Sequence, residues 1–379
     1  MNRRDAVKLV TAAAGAAALA PFINRGRYRL WASSPVQYSA RCITLMQEAT
    51  VLDMLGVLSI SNQWQGWARQ PETFTEADFQ RYRSSGINVF HHAFGLGGYQ
   101  SVVNFCNSVN GLVSGAGTYF TRIDSAEHLK TIKSSGKIGL LIGVQNSSHF
   151  RTVEDVNHFH GQGQRVSQLT YNATTPIGSG STAPTDAGVT EYGTQVIARM
   201  NAVGMAIDVS HCGDRTTLDA FTHSKHPVLI THSNCRALTP GHPRCKSDEA
   251  ILAVGKAGSV MGITGVRNFV KGTEPTTVDD VIAHFNHVKK LIGAEHVGVG
   301  SDMDLYGYDA LPPEQLKQMK AGYAGTYAFR DKVDIEGLDH PKRMFDLTEG
   351  LIRHKYSDQE IHGILGGNFV RVLSDIWRK

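Results

Sequence analysis

Short apolar runs alternate with helix-like segments along most of the chain, and this alternation constrains the fold more than any other feature. Each run is brief and bounded by glycine or polar residues, as buried parallel strands are. The runs lie at residues 51–57, 87–90, 138–144, 166–170, 205–210, 227–231, 259–264 and 296–301. About eight β/α units in one unbroken series predict an α/β fold of the (β/α)8 TIM-like barrel type rather than an open sheet.

The segments between the runs carry helical patterns. They lie at residues 75–85, 125–135, 190–203, 215–223, 248–256 and 278–292. The chain has 379 residues, 41% of them apolar, which is enough for a large core. Since low-complexity linkers and internal repeats are absent, we expect a single barrel domain over residues 34–379, closed by C-terminal helices.

The N-terminus carries the pattern of an export signal. Arg3 and Arg4 precede a short, alanine-rich apolar stretch that ends before Pro21. A paired-arginine start of this kind is typical of twin-arginine signals, which export proteins already folded. The stretch is too short and too weakly apolar to span a bilayer stably. Residues 1–33 are therefore predicted to be signal and leader, and the protein to be periplasmic.

Charge and cysteine usage exclude several classes of protein. The formal net charge is only +4, and no basic stripe is interleaved with aromatic residues, so nucleic acid is not an expected partner. The five cysteines are too few and too scattered for a disulfide scaffold, and none forms a C-x-x-C pair. A small-molecule ligand is the expected partner, and a homodimer is compatible with the sequence.

Chemistry-bearing side chains follow three of the predicted strands. His211 follows the strand at 205–210, His232 follows the next strand, and Asp302 follows the strand at 296–301. The C-terminal ends of barrel strands form the active site in folds of this type. Two imidazoles on neighbouring strand ends and a later carboxylate suit zinc, which accepts nitrogen and oxygen ligands.

Five motifs, in order, carry a family resemblance. They are DVSH at 208–211, THSN at 231–234, RCKSD at 244–248, VGVGSD at 297–302 and ILGGNF at 364–369. From about residue 51 to the C-terminus, the chain resembles the membrane (renal) dipeptidase family, peptidase family M19. The resemblance implies a metallo-dependent hydrolase barrel in which two zinc ions, bridged by a glutamate, hydrolyse dipeptides.

The resemblance also implies roles for individual residues. His211 and His232 match two histidine ligands of one metal, and Asp302 matches the acidic residue that handles the proton. Arg244 matches the arginine that grips the substrate carboxylate, a pairing that suits a guanidinium. Asn234, in the THSN motif, is a further candidate for substrate binding.

The other half of the family's metal site departs from the pattern. Leu55 and Val57 stand where the family has a His-x-Asp pair of ligands, which leaves Asp53 as the oxygen donor of that strand. Gln145 replaces the bridging glutamate, and a neutral amide binds zinc weakly. A binuclear site built on Asp53 and Gln145 would therefore lack ligands.

A third departure lies on another strand. Tyr171 replaces a histidine that steadies the transition state in the family; a phenol can still donate a hydrogen bond to an oxyanion, but it brings no positive charge. Substitute ligands are available nearby, because His91 and His92 follow the predicted strand at 87–90. Either could approach the metal centre.

The leading hypothesis is a metallodipeptidase-like hydrolase acting on a dipeptide or a similar small carboxylate-bearing amide. One zinc is expected, since a single Zn²⁺ can lower the pKa of water to about 7; two zincs would restore the full peptidase pattern. The alternative is a catalytically altered member that binds a peptide-like ligand, or assists metabolite maturation, without hydrolysis, and an absence of metal would favour it. A metal-using lyase or oxidase is a third hypothesis.

Overall fold

Eight parallel strands close into a ring in the computed structural model, which describes residues 26–28, 30, 36–327 and 329–377. The strands at 52–53, 89–94, 138–144, 164–168 and 206–208 pair in that order, and those at 230–233, 261–263 and 297–299 form a second run. The bridge between Asp208 and Leu229 joins the two runs, and the bridge between Gly56 and Met303 closes the ring. The predicted (β/α)8 barrel is confirmed.

Eight strands of the described residues lie at the eight predicted apolar runs, most of them with shorter bounds. The strands of the described residues are β1 Arg27–Tyr28, β2 Tyr38–Ser39, β3 Leu52–Asp53, β4 Val89–Phe94, β5 Phe120–Arg122, β6 Ile138–Val144, β7 Gln164–Gln168, β8 Ala206–Asp208, β9 Ile230–Ser233, β10 Met261–Ile263 and β11 Val297–Val299. The sequence did not predict β1, β2 or β5. Strand β5 is short and pairs with the start of β6.

The α-helices follow the predicted segments closely and add several others. They are α1 Ala40–Glu48, α2 Gln63–Arg69, α3 Glu76–Ser84, α4 Tyr99–Gly115, α5 Ala126–Ser135, α6 Asp155–Gly161, α7 Glu191–Val203, α8 Asp214–His223, α9 Asp248–Lys256, α10 Arg267–Val270, α11 Val278–Ile292, α12 Pro313–Gly322, α13 Arg343–Arg353, α14 Asp358–His362 and α15 Asn368–Ile376. No helix among the described residues is long and apolar enough to cross a bilayer.

The barrel interior is sealed at the end where the strands begin. Leu52 and Met54 meet Val89, Leu141 and inward residues of the later strands in one buried apolar cluster. The apolar face of α15 belongs to the same cluster and plugs this end. Ligands can therefore reach the barrel only from the opposite end, where the strands finish.

The predicted signal and leader, residues 1–33, lies almost entirely outside the described residues, and its boundary stays a prediction. From residue 36 the chain is part of the fold, since Ser39 caps α1 and that helix packs on α13.

Candidate active site

His211 and His232 lie side by side at the open end of the barrel. Their Nε2 atoms are 3.0 Å apart, and both side chains are almost completely buried. Arg244 holds the two strand ends together, because its Nη atoms donate to the carbonyls of Ser210 and His232. The pair predicted from the sequence is thus brought together.

Asn172 fixes the tautomer of His211. Its Oδ1 lies 2.9 Å from His211 Nδ1 and also accepts a hydrogen bond from the Tyr327 hydroxyl at 2.8 Å. An amide oxygen only accepts, so Nδ1 must carry the imidazole proton. The Nε2 atom of His211 is left with its lone pair.

A buried chain of hydrogen bonds fixes His232 in the same way. The Thr231 hydroxyl donates its one proton to Asp208 Oδ2 at 2.8 Å. Its oxygen must therefore accept from His232 Nδ1, which lies 2.8 Å away. The Nε2 atom of His232 also presents a lone pair, and it faces that of His211.

Two lone pairs that face each other at 3.0 Å repel, and a cation between them removes the repulsion. Tetrahedral Zn–N bonds of about 2.05 Å place two nitrogens roughly 3.4 Å apart, close to this separation. Burial and Arg244 lower the pKa of both imidazoles, which keeps them in the neutral form that binds metals. The pair could supply two nitrogen ligands to one metal ion, and the described residues place no third His, Cys, Asp or Glu side chain beside it as a ligand.

The described residues do not fit a second ion. Leu55 is buried and Val57 is half-buried, and neither carries a donor. Gln145 offers only a neutral amide. Within residues 36–327 and 329–377, no three His, Cys, Asp or Glu side chains are grouped so that they could hold a metal. The binuclear centre implied by the resemblance is therefore not supported by this ligand set.

Asp53 faces away from the histidines. Leu52 and Met54 point into the barrel, and Asp53, between them, points outward. Its carboxylate accepts from the backbone and hydroxyl of Ser301 and forms a 2.9 Å ion pair with Arg343. These contacts make Asp53 a link between β3, β11 and α13 rather than the metal ligand that we expected.

Asn234 is likewise part of the barrel wall. It is fully buried, and its amide exchanges two hydrogen bonds with the backbone of Thr264. Those bonds join the ends of β9 and β10 and leave little capacity for a substrate. Substrate binding by Asn234 stays a prediction.

His91 and His92 lie inside β4, because this strand continues beyond the predicted end at residue 90. His91 Nδ1 donates to Met54 O at 2.7 Å, and its Nε2 is buried against Gly143 without a hydrogen-bond partner. His92 faces the helices and packs edge-on against Trp64. Neither is grouped with the histidine pair as a metal ligand.

Asp302 lies at the mouth of the site in a left-handed conformation, with φ of 62°. Its N–H donates to Leu55 O at 2.9 Å, which anchors the turn after β11. Burial raises the pKa of Asp302 to about 7, although Arg244 acts in the opposite direction. A carboxyl with this pKa can take up and release a proton near neutral pH.

Tyr171 stacks on His211, with ring centroids 4.0 Å apart. Its hydroxyl lies 3.0 Å from that of Tyr323, which belongs to the segment after α12. Burial raises the pKa of Tyr171, so the phenol keeps its proton and remains a hydrogen-bond donor.

The sequence did not indicate Asn172, Tyr323 or Tyr327. Asn172 directly follows Tyr171. Tyr323 and Tyr327 stand four residues apart in a stretch without strand signals. The one available signal was the density of aromatic residues at 323–329.

Replacing Asp302 by asparagine should stabilise the metal-free protein at pH 8 but much less at pH 4. The raised pKa means that the folded protein binds the proton more tightly than the unfolded chain, so stability falls as pH rises from about 4 to 7. A rise in pKa from 3.8 to about 7 lowers the free energy of unfolding at high pH by at most about 4 kcal/mol. The partial exposure of Asp302 reduces this to about 1–3 kcal/mol.

Denaturant unfolding with a chelator present checks this prediction. Asparagine also tolerates the left-handed backbone, but that gain does not depend on pH. The measured quantity is the gain in unfolding free energy at pH 8 minus the gain at pH 4. An equal gain at both pH values would contradict the raised pKa of Asp302.

Comparison with known proteins assigns the chain to a family. The model of the membrane dipeptidase family, peptidase family M19, matches residues 44–378. A dipeptidase of Schizosaccharomyces pombe is 28% identical over 266 residues, which are 68% of this chain and 57% of that protein. Dipeptidase 3 of Rattus norvegicus is 25% identical over 65% of this chain and 46% of its own length. The chain spans about half the length of these curated relatives.

Solved structures share the barrel. An amidohydrolase from Pseudomonas aeruginosa superposes with a TM-score of 0.76 and 26% identity, over 89% of this chain and 99% of that one. A metallopeptidase from Rhodobacter sphaeroides, solved with a phosphinate mimic of the dipeptide L-Ala-D-Ala, has a TM-score of 0.70 and 17% identity over 87% and 99% of the two chains. The chain therefore belongs to the membrane dipeptidase family of metallopeptidases.

Proposed function

We propose that the protein hydrolyses a dipeptide or a similar small carboxylate-bearing amide, with one zinc ion held by His211 and His232. The observation that carries this proposal is the convergence of two imidazole lone pairs, each fixed by its own hydrogen bonds. The relatives named as dipeptidases, and the neighbour bound to a dipeptide mimic, support the substrate class.

Arg244 would bind the substrate carboxylate. Its guanidinium is completely buried, two of its nitrogens donate to neutral backbone carbonyls, and Nε has no hydrogen-bond partner. A buried cation without a counter-charge is costly. A substrate carboxylate would supply an ion-pair partner for the guanidinium and an acceptor for Nε.

Asp302 and Tyr171 would handle the proton and the oxyanion. Asp302 can release a proton to the leaving amine, because its pKa is about 7. Tyr171, a neutral phenol beside His211, can donate to the oxygen of the tetrahedral intermediate. A bound zinc ion would polarise the amide carbonyl and promote ionisation of water.

A metal analysis coupled to a hydrolysis assay tests this function. Protein purified without chelator should contain about one zinc per chain and cleave dipeptides with a free C-terminus. The matched C-terminally amidated dipeptides should be cleaved with a kcat/KM about 10- to 100-fold lower, because they lack the charged acceptor for Arg244. Equal cleavage of both would contradict the assigned clamp.

A second candidate is a barrel that binds a peptide-like ligand without cleaving it. Leu55, Val57 and Gln145 favour it, because they remove ligands that the family uses. Dipeptide binding by calorimetry, with neither zinc nor hydrolysis, would establish this alternative.

We also propose export to the periplasm by the twin-arginine route. The support is Arg3-Arg4 followed by the alanine-rich stretch. Cell fractionation tests it, since retention of an Arg3→Lys, Arg4→Lys variant in the cytoplasm is expected and normal export of that variant would contradict it.

A further inference from the structure

Two tyrosine hydroxyls meet at the open end of the barrel. The Oη atoms of Tyr171 and Tyr323 lie 3.0 Å apart, and both residues are half-buried. Neither hydroxyl has another hydrogen-bond partner within residues 36–327 and 329–377. Burial raises the pKa of both tyrosines, so both phenols keep their protons. Their mutual hydrogen bond uses one of the two protons, and the other is left for a ligand whichever hydroxyl donates.

The two rings are held by different parts of the chain. Tyr171 follows β7 and stacks on His211, with ring centroids 4.0 Å apart. Tyr323 directly follows α12, and its ring lies parallel to that of Tyr327, with centroids 5.1 Å apart. Phe329 contacts the Tyr323 ring edge-on. Tyr171 is therefore the inner member of the pair, and Tyr323 approaches it from the segment after β11.

An oxygen that carries negative charge makes the roles of the two phenols unequal. Such an oxygen has no proton to give, so a phenol that binds it must donate its only proton. The oxygen of that phenol can then only accept, and the second phenol must donate to it. Since Tyr171 lies against His211, it is the phenol that we place on the oxyanion of the tetrahedral intermediate.

We propose that Tyr323 is a positioning residue for Tyr171 in amide hydrolysis, donating to Tyr171 Oη while Tyr171 donates to the oxyanion. This inference rests on the proposed hydrolysis and adds a residue to it. Hydrogen bonds in a chain polarise one another, so donation from Tyr323 makes the Tyr171 hydroxyl a stronger donor. Because the negative charge develops only as the intermediate forms, the gain should appear in kcat rather than in KM.

Steady-state kinetics of full-length variants test the inference. Tyr171→Phe should lower kcat for a dipeptide about 100-fold, the usual effect of losing one oxyanion donor. Tyr323→Phe should lower kcat about 5- to 10-fold, as expected for the loss of one hydrogen bond, and leave KM unchanged. That variant keeps the ring that stacks on Tyr327. Tyr306→Phe alters an exposed tyrosine after β11 and is the control, which should keep the kcat of the wild type.

A double variant distinguishes coupled from independent effects of the two tyrosines. In the Tyr171→Phe background, Tyr323→Phe should cause no further loss of kcat, because the oxygen that accepts its hydrogen bond is gone. Losses that multiply would overturn the inference. A larger loss in Tyr323→Phe than in Tyr171→Phe would reverse the assigned order and overturn it as well.

Inhibition by a phosphinate analogue of the dipeptide supplies a second readout, since its tetrahedral charged group resembles the intermediate. Tyr323→Phe should raise the inhibition constant by the factor by which it lowers kcat/KM. If the wild type hydrolyses dipeptides and Tyr323→Phe has an unchanged kcat and inhibition constant, the inference is overturned and the proposed function stands. A wild-type chain that does not hydrolyse dipeptides would overturn both.

Discussion

His211→Ala is expected to abolish stoichiometric metal binding and, with it, dipeptide hydrolysis. The variant leaves His232 as a single nitrogen ligand at the site. The loss of affinity should exceed the roughly 10- to 100-fold effect of losing an outer-shell partner. Elemental analysis of protein purified without chelator measures it.

The matched control is His223→Ala, which removes an exposed histidine at the end of α8. It should keep both the metal and the activity of the wild type. Unchanged metal content in His211→Ala would mean that the ion is held elsewhere.

Asp53→Ala is expected to lower the free energy of unfolding by about 3–5 kcal/mol, the usual cost of breaking a buried ion pair from one side. Asp53 is fully buried and Arg343 is 2% exposed, so the guanidinium would lose its counter-charge inside the protein. Two hydrogen bonds from Ser301 would be lost as well. Denaturant unfolding gives the magnitude.

The metal content of the Asp53→Ala variant distinguishes this structural role from the metal-ligand role that the sequence predicted. If Asp53 only links β3, β11 and α13, its alanine variant should retain the metal of the wild type under native conditions. The exposed pair between Arg353 and Asp279 provides the control, and Asp279→Ala should cost less than about 1 kcal/mol. A stable, metal-depleted Asp53→Ala protein would restore the ligand role.

Local patterns predicted most of the barrel correctly. The strand at 138–144 and the helix at 248–256 have the predicted bounds, because a continuous apolar run and a serine N-cap act within a few residues. The predicted strand ended at residue 90, whereas β4 continues to Phe94. His91 and His92 are polar, so the local pattern placed them after the end of the strand. Their burial depends on Met54, Gly143 and Trp64, which are distant in sequence.

The active-site residues also fall into those that the sequence placed correctly and those that it did not. Strand ends on neighbouring parallel strands must meet, so the sequence could place His211 beside His232. The sequence could not show on which face of β3 the Asp53 side chain lies. Neighbouring residues of a strand point to opposite faces, so a shift of one residue exchanges the two faces. Nor could the sequence assign the buried hydrogen bonds of Asn234.

The barrel, the family and the histidine pair could all be predicted from the amino-acid sequence, because each depends on local periodicity or on short motifs. Tertiary structure decided the chemistry of that pair. The proton positions on the two imidazoles depend on Asn172 and on the Asp208–Thr231 hydrogen bond, and Tyr171 and Tyr327 cover His211. These partners come from separate parts of the chain, and only folding brings their donors and acceptors within hydrogen-bonding distance.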